Sequence, residues 1–451
     1  FGRDVLIVNR IVKAPVDMQK RKVGYPGDQI GDEVIRFEKG NGDKLFVREI
    51  SYIEHSSDTL GLYQAVLNSN VQPIIATFPL KTVRKEGETN NYVIDMTDYI
   101  RRDNKLFSFE SRAKNNAGIG GMVDDASYID TLKAFPRNIE VRTVRTFQRR
   151  ASSPAGAGTS VSSAPSSPLT YELNSSMMLL PKEPMKSRLY DSRVGYFAVS
   201  YKDFDENPQG VEYKAKITRW RLEPKDEDIE KYLKGELVEP KNPIVIYIDP
   251  ATPKKWVPYL IQGVNDWQKA FEKAGFKNAI DARLAPTAEE DPDFSIYDST
   301  YPFISWKISG QNNAYGPTPC EPRSGEIIAC HIGIFCSVLN LEQKWYFAQC
   351  GANDPQAWNI ELPDSLQYEQ IKQVLTHEVG HTLGLEHNFL GSSHYSIDQL
   401  RDNDFLSQYS IGSSIMDYVR CNYALRPQDK VDLRNRRVRA VSYTHLRAHE
   451  T

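Results

Sequence analysis

The chain lacks any run of about 18 or more apolar residues, the length a helix needs to cross a hydrocarbon layer, so no membrane-spanning segment is expected. It also lacks a surplus of charge: 56 Lys and Arg stand against 59 Asp and Glu, for a formal net charge of -3, and no long block of one sign occurs. That removes any general pull toward nucleic acid or anionic lipid, and partners have to be argued from local sites. Cysteine is scarce, with five in 451 residues and no CxxC pair. Cys320, Cys330, Cys336 and Cys350 crowd into one segment while Cys421 stands apart. This pattern fits a zinc knuckle poorly and leaves one or two disulfides in an exported protein, or buried thiols, as the alternatives. An odd total leaves at least one thiol without an intramolecular partner. An initiator Met and an apolar signal segment are absent ahead of Phe1, which reads as a fragment or a processed form.

Length allows two or three domains. Residues 1–237 read as β-rich, with strand-like runs such as DVLIVNRIV, EVIRFEKGNGDKLFV, QPIIATFPL, IEVRTVRTF and LTYELNSSMMLL. Gly40, Asn41 and Gly42 tolerate the positive φ of a tight hairpin, so antiparallel sheet is expected. The Ser-, Ala- and Pro-rich stretch near 150–168 has little that can pack and is read as a long disordered hairpin loop, with an interdomain linker as the alternative.

From 238 to 433 strands and helices alternate. NPIVIYID precedes a helix on which Trp256, Leu260, Val264, Trp267 and Phe271 recur at helical spacing, with Gly275 as its stop. FISWKI and GEIIACHIGIF read as strands, with turn chemistry at 322–325. DSLQYEQIKQVLTHEVGHTLG is a helix that Asp364 or Ser365 can cap, ended by Gly384. The expected class is α+β: a β-rich antiparallel N-terminal domain, then a mixed sheet with packed helices. Residues 434–451 lack periodicity and capping logic and are expected to be a non-native tail, with a flexible basic tail as the alternative; His445 and His449 then carry no weight.

Three of the eight histidines fall in HEVGHTLGLEHNF, 377–389. His377 and His381, four apart on a helix, project from one face and can share a cation. Glu378 is turned by about 100 degrees, within reach of a water on that cation but not placed as a ligand. Gly384 permits a sharp reversal that lets His387 return as third ligand. Three imidazoles with one open position describe catalytic zinc rather than structural zinc, which takes four protein ligands. Zinc lowers the pKa of its water toward about 7, and Glu378 can take that proton and pass it to a leaving amine. Five such fixed positions arise by chance in a chain of this length on the order of once in 10⁵ sequences.

HExxHxxGxxH followed by SIMDY, 414–418, resembles the signature of metzincin metallopeptidases with their methionine turn. The order of β-rich region, PIVIYIDPATPKKWVPYLIQGVNDWQKAFEKAGF, YGPTPCEPRSGEIIACHI, HEVGHTLGLEHNF and SIMDYVRCNY is similar to a family of bacterial zinc-dependent metalloproteases, over most of residues 1–433. The resemblance implies Zn²⁺ on His377, His381 and His387, Glu378 as general base and acid, Met416 as an apolar floor, and Tyr418 as stabiliser of the oxyanion. It further implies a protein or peptide substrate and export from the cytoplasm. By the same resemblance GEIIACHIGIF would be the edge strand along the cleft, where a peptide adds through backbone bonds. His331 is read as structural, Asn388 as a side-chain buttress of the turn, and His55, His394 and Asp398 as uninvolved. The chain loses recognisable sequence soon after Leu433, where metzincins continue into a further helix. An inactive zinc-containing scaffold at the cell surface is the rival reading, and hydrolysis of a non-peptide amide a third.

Overall fold

Strand Asp4–Lys13 is buried along nearly its whole length because it runs through the middle of a sheet, between Gln29–Lys39 and Leu169–Leu179. The computed structural model describes residues 1–15, 24–58, 60–87, 89–150, 167–207, 209–311, 313–316 and 318–437. Most of the expected loop near 150–168, and the expected tail from 438 onward, lie outside them.

The first sheet has nine strands, in the order Thr89–Ile94, Ile74–Glu86, Lys44–Glu49, Gln29–Lys39, Asp4–Lys13, Leu169–Leu179, Asn138–Arg149 and Ile119–Met122, with Tyr128–Ala134 also pairing with Asn138–Arg149. Every pairing is antiparallel. The expected hairpin closes with Gly42 at φ 67° and Gly40 N–H donating to Lys44 O at 2.9 Å. Apolar residues of the sheet, including Ile11, Phe147, Tyr171 and Leu173, pack with Phe109, Ala113 and Ala117. A buried polar set binds the sheet to the second half of the chain. Arg10 Nε donates to Ser299 Oγ at 2.9 Å, Asn138 Nδ2 to Asp298 Oδ2 at 3.0 Å, and Ser299 N to Ser176 Oγ at 2.9 Å. A three-stranded sheet joins Glu212–Ile217 and Ala198–Asp203, which follow the first sheet in sequence, to Glu54–His55, which lies between two of its strands.

The second large sheet is mixed, in the order Ile280–Leu284, Ile244–Ile248, Phe303–Lys307, His331–Phe335 and Ala314–Tyr315. The first four strands are parallel and the last is antiparallel. GEIIACHIGIF is therefore not the edge strand. Its C-terminal half, His331–Phe335, is buried at all five positions between two neighbours, and the short Ala314–Tyr315 forms the edge instead.

The amphipathic helix expected after NPIVIYID is two pieces, Val257–Asn265 and Gln268–Lys273. At the break Trp267 N donates to Val264 O at 3.2 Å, a tighter turn than the helical ladder, while Trp267 Nε1 donates to Thr376 O at 2.9 Å and Asp266 pairs with Lys372. Trp256, Leu260, Val264, Trp267 and Phe271 enter one core with Ile371, Val374, Leu375 and Val379 of helix Asp364–Thr382. That last helix starts after Pro363 without a side-chain cap, contrary to the capping roles expected of Asp364 and Ser365. Residues 434–437, expected to stand apart from the fold, pack onto it. Arg437 pairs with Glu369 at 2.5 Å and with Asp354 at 3.5 Å, and Asn435 is fully buried. No helix among the described residues is long and apolar enough to cross a membrane.

Candidate metal centre

Helix Asp364–Thr382 carries His377 and His381 one turn apart, and two carbonyls fix their orientation. His377 Nδ1 lies 2.8 Å from Ile415 O, and His381 Nδ1 lies 2.7 Å from Leu385 O. An imidazole that donates through Nδ1 keeps the Nε2 lone pair for a metal. His387 Nε2 is 3.1 Å from His381 Nε2, and one ligand atom from each of the three histidines lies within 4.8 Å of the others. Nitrogens sharing one tetrahedral zinc would sit about 3.4 Å apart, a spacing that His381 and His387 come close to. Among the described residues this is the one His, Cys, Asp or Glu group close enough to share a metal.

Burial sets the protonation that a metal requires. It lowers His377 to about 3, with His381 adding to the shift, and it also lowers His381 and His387 below the ordinary imidazole value. All three are therefore neutral donors at neutral pH. Three imidazoles without a thiolate suit zinc. Burial acts oppositely on Glu378, pushing its carboxyl up to about 7 against the pull of Arg420.

The reversal that returns His387 depends on Gly384, whose φ is 99° and where a Cβ would collide with Thr218 O. Residues far upstream brace this turn. Phe197 N donates to Gly384 O at 2.8 Å, Glu386 N to Gly195 O at 2.9 Å, and Trp220 Nε1 to Thr382 O at 2.8 Å, while the Phe197 ring sits 5.7 Å from that of His381. Met416 is fully buried under the helix, where a Cβ at Gly380 would strike its sulfur. Asn388 supports the turn through its backbone N–H, which donates to Met416 O at 2.9 Å, rather than through its side chain. Tyr418 is 48% exposed and places its hydroxyl 2.8 Å from His387 Nε2.

The triad opens on a cavity of about 830 Å³ that Glu378 and Tyr418 also line. Sequence reasoning missed Phe197, Tyr315, Glu342, Trp345 and Arg420 on its walls. Gly380 was missed too, although a glycine inside a helix is itself a signal of close approach. His331 is buried and outside the triad, its Nε2 2.8 Å from Ser305 Oγ and its ring stacked on Phe303 at 4.2 Å. His55, His394 and Asp398 are not part of the cluster. Of the cysteines, Cys350 and Cys421 form a disulfide, and Cys320, Cys330 and Cys336 are free.

Fold and site together define a three-histidine metal centre on a mixed α+β scaffold. A family model described as Met-zincin matches residues 359–441, and one described as Domain of unknown function (DUF5117) matches residues 27–225. No curated protein and no solved structure matches. The C-terminal part of the chain is thus similar to zinc metallopeptidases, while the N-terminal match takes in Phe197, Thr218 and Trp220, which brace the metal turn.

Proposed function

We propose that the chain is a zinc metalloendopeptidase, with His377, His381 and His387 holding the ion. The observation that carries this reading is three imidazoles converging beside the buried carboxyl of Glu378 on a cavity of about 830 Å³. When bound, zinc supplies Lewis acidity toward a carbonyl and a water acidified toward neutrality. Glu378 takes a proton from water at its carboxyl oxygen and delivers it to the leaving nitrogen. Tyr418, half-exposed beside the triad, donates its hydroxyl proton in a hydrogen bond to the oxygen on which charge develops. The edge strand Ala314–Tyr315 offers backbone groups to an extended substrate, and Met416 holds the floor of the histidine cluster. Export to an oxidising compartment accords with the Cys350–Cys421 disulfide. The inactive-scaffold alternative draws no support, since every member of the HExxHxxGxxH set is intact. Metal analysis of the purified chain should give one zinc, removed by chelators together with cleavage of an unfolded protein. Glu378→Gln should keep the zinc and lose cleavage; retained cleavage in that variant would remove Glu378 from the reaction.

A further inference from the structure

Arg420 is the one Lys or Arg among the described residues lining the cavity around the triad. Its guanidinium carbon lies 3.4 Å from the centre of the Trp345 ring and 5.0 Å from that of Tyr418, whose hydroxyl in turn reaches His387. Stacking occupies the faces of a guanidinium, while its five N–H donors lie in the edge. One donor is engaged: Nη1 donates to Glu342 Oε1 at 3.3 Å, and the guanidinium makes no other hydrogen bond among the described residues. The geometry is rigidly held, because Glu342 and Trp345 belong to helix Val338–Cys350 and the Cys350–Cys421 disulfide ties that helix to the residue after Arg420. Gln349 and Gln373 flank the same recess with amide groups. Glu342 neutralises the cation incompletely, since burial drives its own carboxyl up to about 7.

We propose that Arg420 determines specificity by pairing with a substrate carboxylate close to the scissile bond, so that the preferred substrates are acidic peptides. The proposal rests on the peptidase reading and names its substrate class. The carboxylate can belong to an Asp or Glu side chain or to a peptide C-terminus, and a forked guanidinium edge suits either.

The test uses the zinc-loaded chain with two randomised peptide libraries, one amidated at the C-terminus and one with a free acid, followed by sequencing of products. If side chains are read, cleavage in the amidated library favours Asp or Glu over Asn or Gln at one position by about 10- to 100-fold, the range for hydrogen bonds to a charged group. If the terminus is read, the free-acid library is cut near its end with a similar advantage. Either preference should collapse in Arg420→Gln and persist or grow in Glu342→Gln, which leaves the cation in place. Where the libraries are cleaved, absence of both preferences, a preference unchanged in Arg420→Gln, or its loss in Glu342→Gln overturns the proposal. A binding arm separates this from failure of the peptidase reading. Tryptophan fluorescence of Glu378→Gln is titrated with paired Glu- and Gln-containing peptides, amidated and free. Tighter binding of a carboxylate peptide that Arg420→Gln abolishes supports the role of Arg420 even if no library is cleaved, and equal binding of all the peptides refutes it.

Discussion

Replacing Gly384 by Ala tests how the metal turn is held. Its φ of 99° is hostile to any side chain, and strain of this kind costs about 1–3 kcal/mol. The new Cβ would also run into Thr218 O. That carbonyl cannot simply retreat, because Thr218 N donates to Phe197 O at 2.7 Å and Phe197 N donates to Gly384 O at 2.8 Å, closing a loop of bonds around the clash. Overpacking adds about 1–3 kcal/mol, for a total of roughly 2–6 kcal/mol. Gly42 makes a matched control: its φ of 67° is also positive, but a Cβ there meets nothing within 4 Å, so Gly42→Ala should cost only the strain. Urea unfolding of both variants, with zinc and with chelator, measures the difference. Gly384→Ala should also weaken zinc binding, because the turn delivers His387. If it costs no more than Gly42→Ala and keeps native zinc affinity, the argument for a braced turn is wrong.

Three further outcomes are expected. Reducing the Cys350–Cys421 disulfide, or replacing both cysteines by Ser, frees a crosslink with a sequence separation of 71 and should destabilise the chain by about 4 kcal/mol in denaturant unfolding, on the chain-entropy account. Asp28→Ala strands Lys307, whose Nζ donates to Asp28 Oδ1 at 2.5 Å in a nearly dry setting, and should cost about 3–5 kcal/mol by the same assay, as removal of one partner of a buried pair does. Burial, with Lys307 and Arg10 nearby, depresses His331 well below the ordinary imidazole value, so below pH 6.5 the unfolded chain binds a proton there that the folded chain refuses. Stability from this group is complete above pH 6.5 and falls as pH drops toward the folded value, by about 1.4 kcal/mol per pH unit; unfolding curves of His331→Gln should lack that increment of slope, and an unchanged slope would contradict the assignment.

What could be read in advance was what local spacing dictates. His377, His381 and the reversal at Gly384 follow from helix periodicity and one backbone constraint, so a short window specifies them. The hairpin at Gly40–Gly42 was legible for the same reason. Phe197, Tyr315 and Arg420 were not, because they reach the cavity only through tertiary packing and carry no periodic mark. The pairing of Cys350 with Cys421 could not be chosen among five cysteines by spacing alone. The misassigned edge strand had a usable signal: HIGIF is an almost unbroken apolar run, which marks a strand covered on both faces rather than one open to a substrate. The two helix pieces around Trp267 resisted because the apolar rhythm continues through the break, while the bond from its indole to Thr376 O is visible only in three dimensions.

The placement of these upstream contacts bears on how the cleft is built. One wall, the metal turn, is bonded to Gly195, Phe197 and Trp220. Tyr315, on the edge strand, lines the same cavity, and its hydroxyl bonds to Asp28, the acid that also holds Lys307. Both parts of the lining are thus bonded to residues before 238, through contacts that are partly or fully buried. Cleft geometry then depends on how these upstream segments seat against the second half of the chain, and a perturbation at Asp28 or Thr218 would act on the cleft without touching the three histidines. On this view the β-rich half is a structural part of the site, and its sequence is constrained by the cleft as well as by its own core.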